Sequence, residues 1–196
     1  MQHDASDSCF HSARLIFLVG PSGSGKDSLI DAARPRLAAA GVKIARRVIT
    51  RSAESKGEAA QGVTPEVFEA MLAAGEFAMH WRANGLDYGI PAQVDQWLAD
   101  GHVVLVNGSR AYLGEARQRY PDLVAIRLEV RPEILRQRLL ARGRENAAQV
   151  EQRLARGASL QGEVETDVHR LDNSDALEVA VEALIELLES EGVIRN

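Results

Sequence analysis

Apolar residues along this chain fall into short blocks, and the stretches between them carry helical periodicity. Leu15-Ile16-Phe17-Leu18-Val19 is an unbroken apolar run, as is Val103-Val104-Leu105-Val106. Runs of that length, bounded by polar segments, predict strands buried on both faces. A further strand is predicted over 123–130, a short one over 45–49 and a candidate over 77–81. Helices are predicted between them. The first spans 25–40 and is expected to break or kink at Pro35. Thr64-Pro65-Glu66 reads as a helix start with proline at the first helical position, and Gly75 closes that helix. Another covers 91–99 and ends near Gly101; Pro132 opens one that Gly143 closes; Asn146 with Gln149 caps the next. The last covers 176–188, with Leu177, Val181, Leu184 and Leu188 on one face. Asn84-Gly85 is a turn signal. Alternation of this kind predicts an α/β fold, a parallel sheet wound by right-handed crossovers, with ligands at the carboxyl ends of its strands. There is no internal repeat. A loose tail, 1–13, is expected before one domain, 14–196.

The first apolar run leads directly into Gly20-Pro21-Ser22-Gly23-Ser24-Gly25-Lys26-Asp27-Ser28. This is the G-x-x-x-x-G-K pattern of a phosphate loop. Its backbone N–H groups can turn inward around a polyphosphate, and the helix behind it adds the positive end of its dipole. Lys26 can reach the outer phosphates of a nucleoside triphosphate. A flexible Gly/Ser turn is the alternative. The buried-type strand before the loop and the helical Ser28-Leu29-Ile30-Asp31-Ala32-Ala33 after it favour the phosphate loop. One position departs from the pattern, which has Ser or Thr after the lysine to hold Mg²⁺. Here Asp27 stands there and Ser28 follows. A carboxylate is a hard oxygen ligand, so two readings stay open: Asp27 holds the ion, directly or through a water, or the Ser28 hydroxyl does.

Charge narrows the field further. The 196 residues carry a net charge of −5, which argues against general nucleic-acid binding. No apolar run approaches the length of a membrane span, and the first dozen residues contain no secretory core. Cys9 is the single cysteine, which excludes an internal disulfide and fits a reducing, cytoplasmic compartment. Only three of the 23 cationic residues are lysines, so the placement of arginine is worth following. Residues 131–160 hold seven arginines against three glutamates. Arg138 and Arg142 share one helix face; Arg153 and Arg156 share another. This reads as a helical hairpin, 132–159, with cations on facing sides that repel until a polyanion arrives: a lid over phosphates. The alternative is a solvated hairpin laced with ion pairs. The phosphate loop favours the lid, because a transferring phosphoryl group needs charge beyond one lysine and a metal.

A smaller cluster, Arg46-Arg47-Val48-Ile49-Thr50-Arg51, places Thr50 and Arg51 near the carboxyl end of a strand, where they can hold a second anion. Arg46 reads as surface charge. Asn107-Gly108-Ser109-Arg110 follow the 103–106 strand and lie at such an end too. Tyr88, in what reads as a loop of turn residues, either lines the acceptor site or packs. His3, His11, His80, His102 and His169 are scattered, with no metal-ligand spacing and no evident catalytic base. A hydroxyl acceptor profits from such a base. A phosphate acceptor is already anionic, so positioning and charge cancellation suffice.

GPSGSGKDSL at 20–29, VITR at 48–51, ANGLDYG at 83–89, VLVNGSRAYL at 104–113 and PEILRQRLLARGREN at 132–146 together resemble the guanylate-kinase-like group of phosphate-loop kinases. Within that group the chain is most similar to the ribose 1,5-bisphosphate phosphokinases of bacterial phosphonate catabolism. GKDS and NGSR carry the distinction, since ordinary guanylate kinases have GKS or GKT and an Asp where Asn107 stands. The resemblance implies a three-layer sandwich of the P-loop NTPase type with a central, mostly parallel sheet and a helical lid. It implies ATP as phosphoryl donor with Mg²⁺, and a small sugar phosphate as acceptor. ATP phosphates would lie on Gly20, Pro21, Ser22, Gly23, Ser24, Gly25, Lys26, Asp27 and Ser28, with Asn173 near adenine. Arg47, Arg51, Tyr88, Asn107 and Arg110 would serve the acceptor. Lys26, Arg138, Arg142 and Arg153 would act on the transferring group. Guanylate kinases place a Tyr-x-Phe strand after a Gly-Glu. Here Gly57-Glu58 is followed by no aromatic until Phe68, so that strand is expected to be lost along with any guanine to read. Phosphorylation of GMP, and a non-catalytic module of the same fold, are the rival readings.

Overall fold

The computed structural model describes residues 13–51, 60–143, 146–159 and 167–195. Cys9, the Gly57-Glu58 segment, Arg144, Glu145 and the side chain of Arg156 lie outside the described residues. Five apolar residues in a row leave β1 (Leu15–Val19) no face for solvent, and all five are buried. The strand takes the centre of a five-stranded sheet. It pairs in parallel with β7 (Val104–Asn107) on one side and β8 (Val124–Glu129) on the other. Short β2 (Lys43–Ile44) lies outside β7, and β9 (Val168–Asp172) lies outside β8, both again parallel.

The period-two alternation of β1 splits the core into two faces. Ile16 and Leu18 meet Leu29, Ala33 and Leu37 of α1 (Lys26–Ala39) and Leu184 and Leu188 of α7 (Leu177–Ser190). Leu15, Phe17 and Val19 meet Val94 of α3 (Gln93–Ala99) and Leu113 and Ala116 of α4 (Leu113–Arg119). The result is a three-layer α/β sandwich with a parallel central sheet. Helix α1 runs through Pro35 instead of ending there. The ring lies on the exposed face, while Ala33 and Leu37 on either side are fully buried, so packing outweighs the missing backbone bond. Among the described residues, no helix is long and apolar enough to cross a membrane.

The single strand expected at 45–49 is two strands in different sheets. Ala45 still donates to the Leu105 carbonyl at 2.9 Å, after which the chain leaves the central sheet. β3 (Arg47–Ile49) joins a second, four-stranded sheet with β4 (Ala60–Gly62), β5 (Phe77–Ala83) and β6 (Leu86–Pro91), in the order β4-β3-β6-β5. β4, which follows Gly57-Glu58, is a short strand without an aromatic residue. The segment around Tyr88, read as a loop, is strand β6. Asn84 and Gly85 both have positive φ, 52° and 76°, which closes the two-residue β5–β6 hairpin with the twist that a tight turn requires. Pro91 pairs with Phe77, so α3 starts later than 91.

Between α2 (Pro65–Ala73), which Thr64 caps through the Val67 N–H, and the carboxyl terminus, the chain forms the hairpin of α5 (Pro132–Ala141) and α6 (Ala147–Ser159). Asn146 and Gln149 exchange side-chain-to-backbone bonds of 2.9 and 3.0 Å at the start of α6. Among the described residues, the facing sides of this hairpin are apolar rather than cationic. Leu135 and Leu139 pack on Val150 and Leu154, and Arg136 pairs with Glu151, so the apolar stripe rather than arginine repulsion sets how the two helices meet.

Two predictions test this packing. Gly108, just past β7, donates to the Leu18 carbonyl at 2.9 Å, and an added Cβ would stand 2.2–2.5 Å from the Phe17 ring. Gly108→Ala is expected to lower stability by about 1–3 kcal/mol in urea unfolding, the usual cost of overpacking a core. On the same layer, Tyr120 donates to Asp95 at 2.6 Å and accepts from Arg119 at 3.1 Å. Burial first, then the bond to Asp95, pushes its hydroxyl up to about 12. A raised folded value means that the neutral phenol stabilises the fold fully below pH ~10 and loses that effect as pH climbs through the folded value. Absorbance of phenolate in the native protein, taken as the difference between parent and Tyr120→Phe, should therefore rise above pH 11 rather than at ~10.

Candidate active site

The carboxyl end of β1 turns at Gly20 into the loop that precedes α1. Gly23 and Gly25 have φ of +92° and +89°, the left-handed region where a side chain is strained. Ser24 closes the turn by donating to the Pro21 carbonyl at 3.1 Å. Lys26 folds back over the loop, its Nζ donating to the carbonyls of Gly20 at 2.8 Å and Pro21 at 3.2 Å. The ammonium thus sits at the loop's mouth beside the amino terminus of a fourteen-residue helix, a combination suited to phosphate.

The loop forms the floor of a cleft of about 900 Å³. One wall is the second sheet, with Arg47, Trp81 and Tyr88; the turn after β7 adds Ser109 and Arg110. The opposite wall is the α5–α6 hairpin, with Arg136, Arg142 and Arg153. Arg153 donates to the Ser22 hydroxyl at 3.0 Å and Arg138 reaches the Ser24 carbonyl at 3.5 Å, so both arginines converge on the phosphate loop from 114 or more residues away in sequence.

Of the residues that the sequence singles out, Gly20, Pro21, Ser22, Gly23, Gly25, Lys26, Asp27, Arg47, Tyr88, Arg110, Arg142 and Arg153 line the cleft. Ser24, Ser28, Arg51, Asn107, Arg138 and Asn173 do not. Ser28 is exposed on α1, one residue and ~100° round the helix from Asp27. Asn107 is buried and donates to Asp27 Oδ1 at 2.8 Å. Asn173, expected near adenine, is 3 % exposed and donates to the Ser24 carbonyl at 2.7 Å, which makes it a brace behind the loop. Two lining residues escape the sequence reading. Trp81 stacks on Tyr88, with ring centroids 5.7 Å apart and planes 4° from parallel; these two residues are register partners across the β5–β6 hairpin. Arg127 is buried within β8, and a charged residue between Ile126 and Leu128, inside an apolar run, is the signal that marks it.

A family model described as an AAA domain matches residues 16–156. The ribose 1,5-bisphosphate phosphokinase PhnN of Pseudomonas paraeruginosa is 60% identical over 174 residues, covering 89% of this chain and 94% of that protein. The chain belongs to that phosphokinase family. The member of the family from Thiobacillus denitrificans is 48% identical over 179 residues, covering 89% of this chain and 92% of that one. Among solved structures, guanylate kinase from Anaplasma phagocytophilum superposes with a TM-score of 0.66 at 18% identity, over 92% of this chain and 87% of that one. At that identity the likeness concerns the fold alone.

Asn173→Ala removes the brace and leaves the Ser24 carbonyl buried without that donor. It is expected to destabilise by about 1–3 kcal/mol in urea unfolding and to weaken nucleotide binding, measured by calorimetry, because the loop loses its preorganised curl.

Proposed function

We propose that this chain transfers the γ-phosphoryl group of ATP to the 1-phosphate of ribose 1,5-bisphosphate, giving ADP and 5-phosphoribosyl 1-diphosphate in phosphonate degradation, with the cytoplasm as its compartment. The carrying observation is one cleft that joins a phosphate loop to a cationic and aromatic wall in a chain 60% identical to a ribose 1,5-bisphosphate phosphokinase. The donor triphosphate lies along residues 20–26 with Lys26 on its outer groups. The acceptor lies against Arg47, Tyr88 and Arg110, with Arg51 at the end of the same segment. Arg142 and Arg153 reach in from the hairpin, and Arg138 steadies the loop from its outer side.

The chemistry fits an acceptor that needs no base. Asp27 is the carboxylate next to Lys26, and its Oδ1 is already engaged by Arg47 and Asn107. Two phosphates repel each other, so the work of the site is to hold them in line and cancel their charge.

The residues present also fit Mg²⁺. Asp27 offers a carboxylate, and the Oδ1 of Asn107 is buried without a hydrogen-bond partner among the described residues. Both are hard oxygens of the kind Mg²⁺ takes alongside substrate phosphates. When bound, the ion supplies positive charge to the donor's outer phosphates.

Incubating the protein with Mg²⁺, ATP and a panel of sugar phosphates and nucleoside monophosphates tests the reading. Release of ADP with ribose 1,5-bisphosphate, and appearance of the diphosphate product, is the expected result. Turnover of GMP without turnover of the bisphosphate would assign a guanylate kinase instead. Lys26→Ala is expected to lower kcat by about two to three orders of magnitude, as removal of one preorganised contact to developing charge typically does; unchanged ATP turnover would point to a binding module.

A further inference from the structure

Asp27 stands where the phosphate-loop pattern has a hydroxyl, and its surroundings give it a second task besides any metal binding. Its Oδ1 accepts from the Arg47 guanidinium at 3.0 Å and from the Asn107 amide at 2.8 Å. The three side chains come from α1, β3 and the end of β7. The Arg47 side chain is 8% exposed, and its guanidinium carbon lies 5.8 Å from the centre of the Tyr88 ring. Tyr88 in turn stacks on Trp81. A continuous line of contacts therefore runs from the residue beside Lys26 to the wall assigned to the acceptor, and Asp27, Arg47, Tyr88 and Trp81 all line the cleft.

A hydroxyl at position 27 would serve a metal well but would hold a guanidinium poorly. Charge-assisted bonds are roughly twice as strong as neutral ones, and a buried cation is costly without a counter-charge. Arginine also loses much rotamer freedom when it is fixed. Here the carboxylate holds the head of the side chain and the aromatic face lies beneath it. The pairing works in the other direction too, since Arg47 cancels the negative charge that Asp27 would otherwise present beside the triphosphate.

We propose that Asp27 is a positioning residue for the acceptor: steadied by Asn107, it fixes the Arg47 guanidinium over Tyr88, where that group meets the acceptor phosphate. The inference rests on the phosphokinase reading for the identity of the acceptor, but not for the coupling between Asp27 and Arg47.

A double-mutant cycle in the full chain tests it, using Asp27→Ser, Arg47→Ala and the pair together. Acceptor KM and kcat are measured at saturating Mg²⁺ and ATP, and the affinity for Mg²⁺–ATP is measured by calorimetry without acceptor. Each single change is expected to raise acceptor KM by about tenfold or more, and the double variant to be no worse than Arg47→Ala alone, as befits two residues acting as one unit. Asp27→Ser is expected to raise acceptor KM by a larger factor than it weakens Mg²⁺–ATP binding, since a hydroxyl still offers an oxygen to the ion. Asp27→Asn, which keeps the acceptor oxygen but not the charge, should fall between parent and Asp27→Ser; it also carries the cycle if Asp27→Ser fails to fold. Additive effects on KM overturn the proposal. So does an Asp27→Ser protein that loses Mg²⁺–ATP but spares acceptor KM, which would give Asp27 to the metal alone. Should the parent use GMP or another phosphate in place of ribose 1,5-bisphosphate, the phosphokinase reading fails by itself, and the same cycle run with that acceptor decides the coupling. A parent that turns over no acceptor overturns both.

Discussion

A Cβ at Gly23 or Gly25 would stand 2.7 Å from Leu139 or from the Asn173 amide, at φ of +92° and +89°, so the phosphate loop closes only with glycine at both places. That backbone constraint governs the rest of the site. With the loop curled, Lys26 caps its mouth beside the amino terminus of α1. The same close approach ties the loop to its surroundings. Leu135 and Leu139 of the hairpin press on Gly23, and Asn173 holds the Ser24 carbonyl from the end of β9. The loop is flexible in composition but is held by packing and hydrogen bonds from three directions.

Around it the protein concentrates cations that its overall composition does not suggest. The chain has a net charge of −5, yet the cleft takes Lys26 from α1, Arg47 from β3, Arg127 from β8, and Arg136, Arg142 and Arg153 from the hairpin. Several of these are tethered by specific partners: Arg47 by Asp27, Arg153 by Ser22, Arg136 by Glu151. Tethering matters because two phosphorylated substrates must be brought together against their own repulsion. Fixed guanidinium groups avoid the reorganisation that water would require.

Not all of this was visible along the chain. Of the second sheet only β5 and part of β3 were legible as strands, because its members are three to seven residues long and their pairing is non-local. The Asn84-Gly85 turn was legible, but the strand after it was not: Leu86, Tyr88 and Ile90 alternate with Asp87 and Gly89, yet aspartate, glycine and proline are depleted in strands and make the segment read as a loop. The break between β2 and β3 has no local mark either; it occurs where the chain passes from one sheet to the other. In the hairpin, arginines at helical spacing drew attention away from Leu135, Leu139 and Val150, which decide how the helices meet. Asn173 carried a polar side chain after a strand, and nothing near it in sequence said that its partner would be Ser24.

The amino-acid sequence by itself determined the phosphate loop, the three inner strands β1, β7 and β8, and the alternation that makes the sheet parallel. In each case the determining chemistry is contiguous: glycines and a lysine within nine residues, or apolar runs that can only be buried. Tertiary structure alone decided which residues surround Asp27, that Tyr88 and Trp81 stack, and that Arg138 and Arg153 reach the loop. Those contacts join residues 7 to 131 positions apart, and only the packing of the sheets and helices brings such residues within bonding distance.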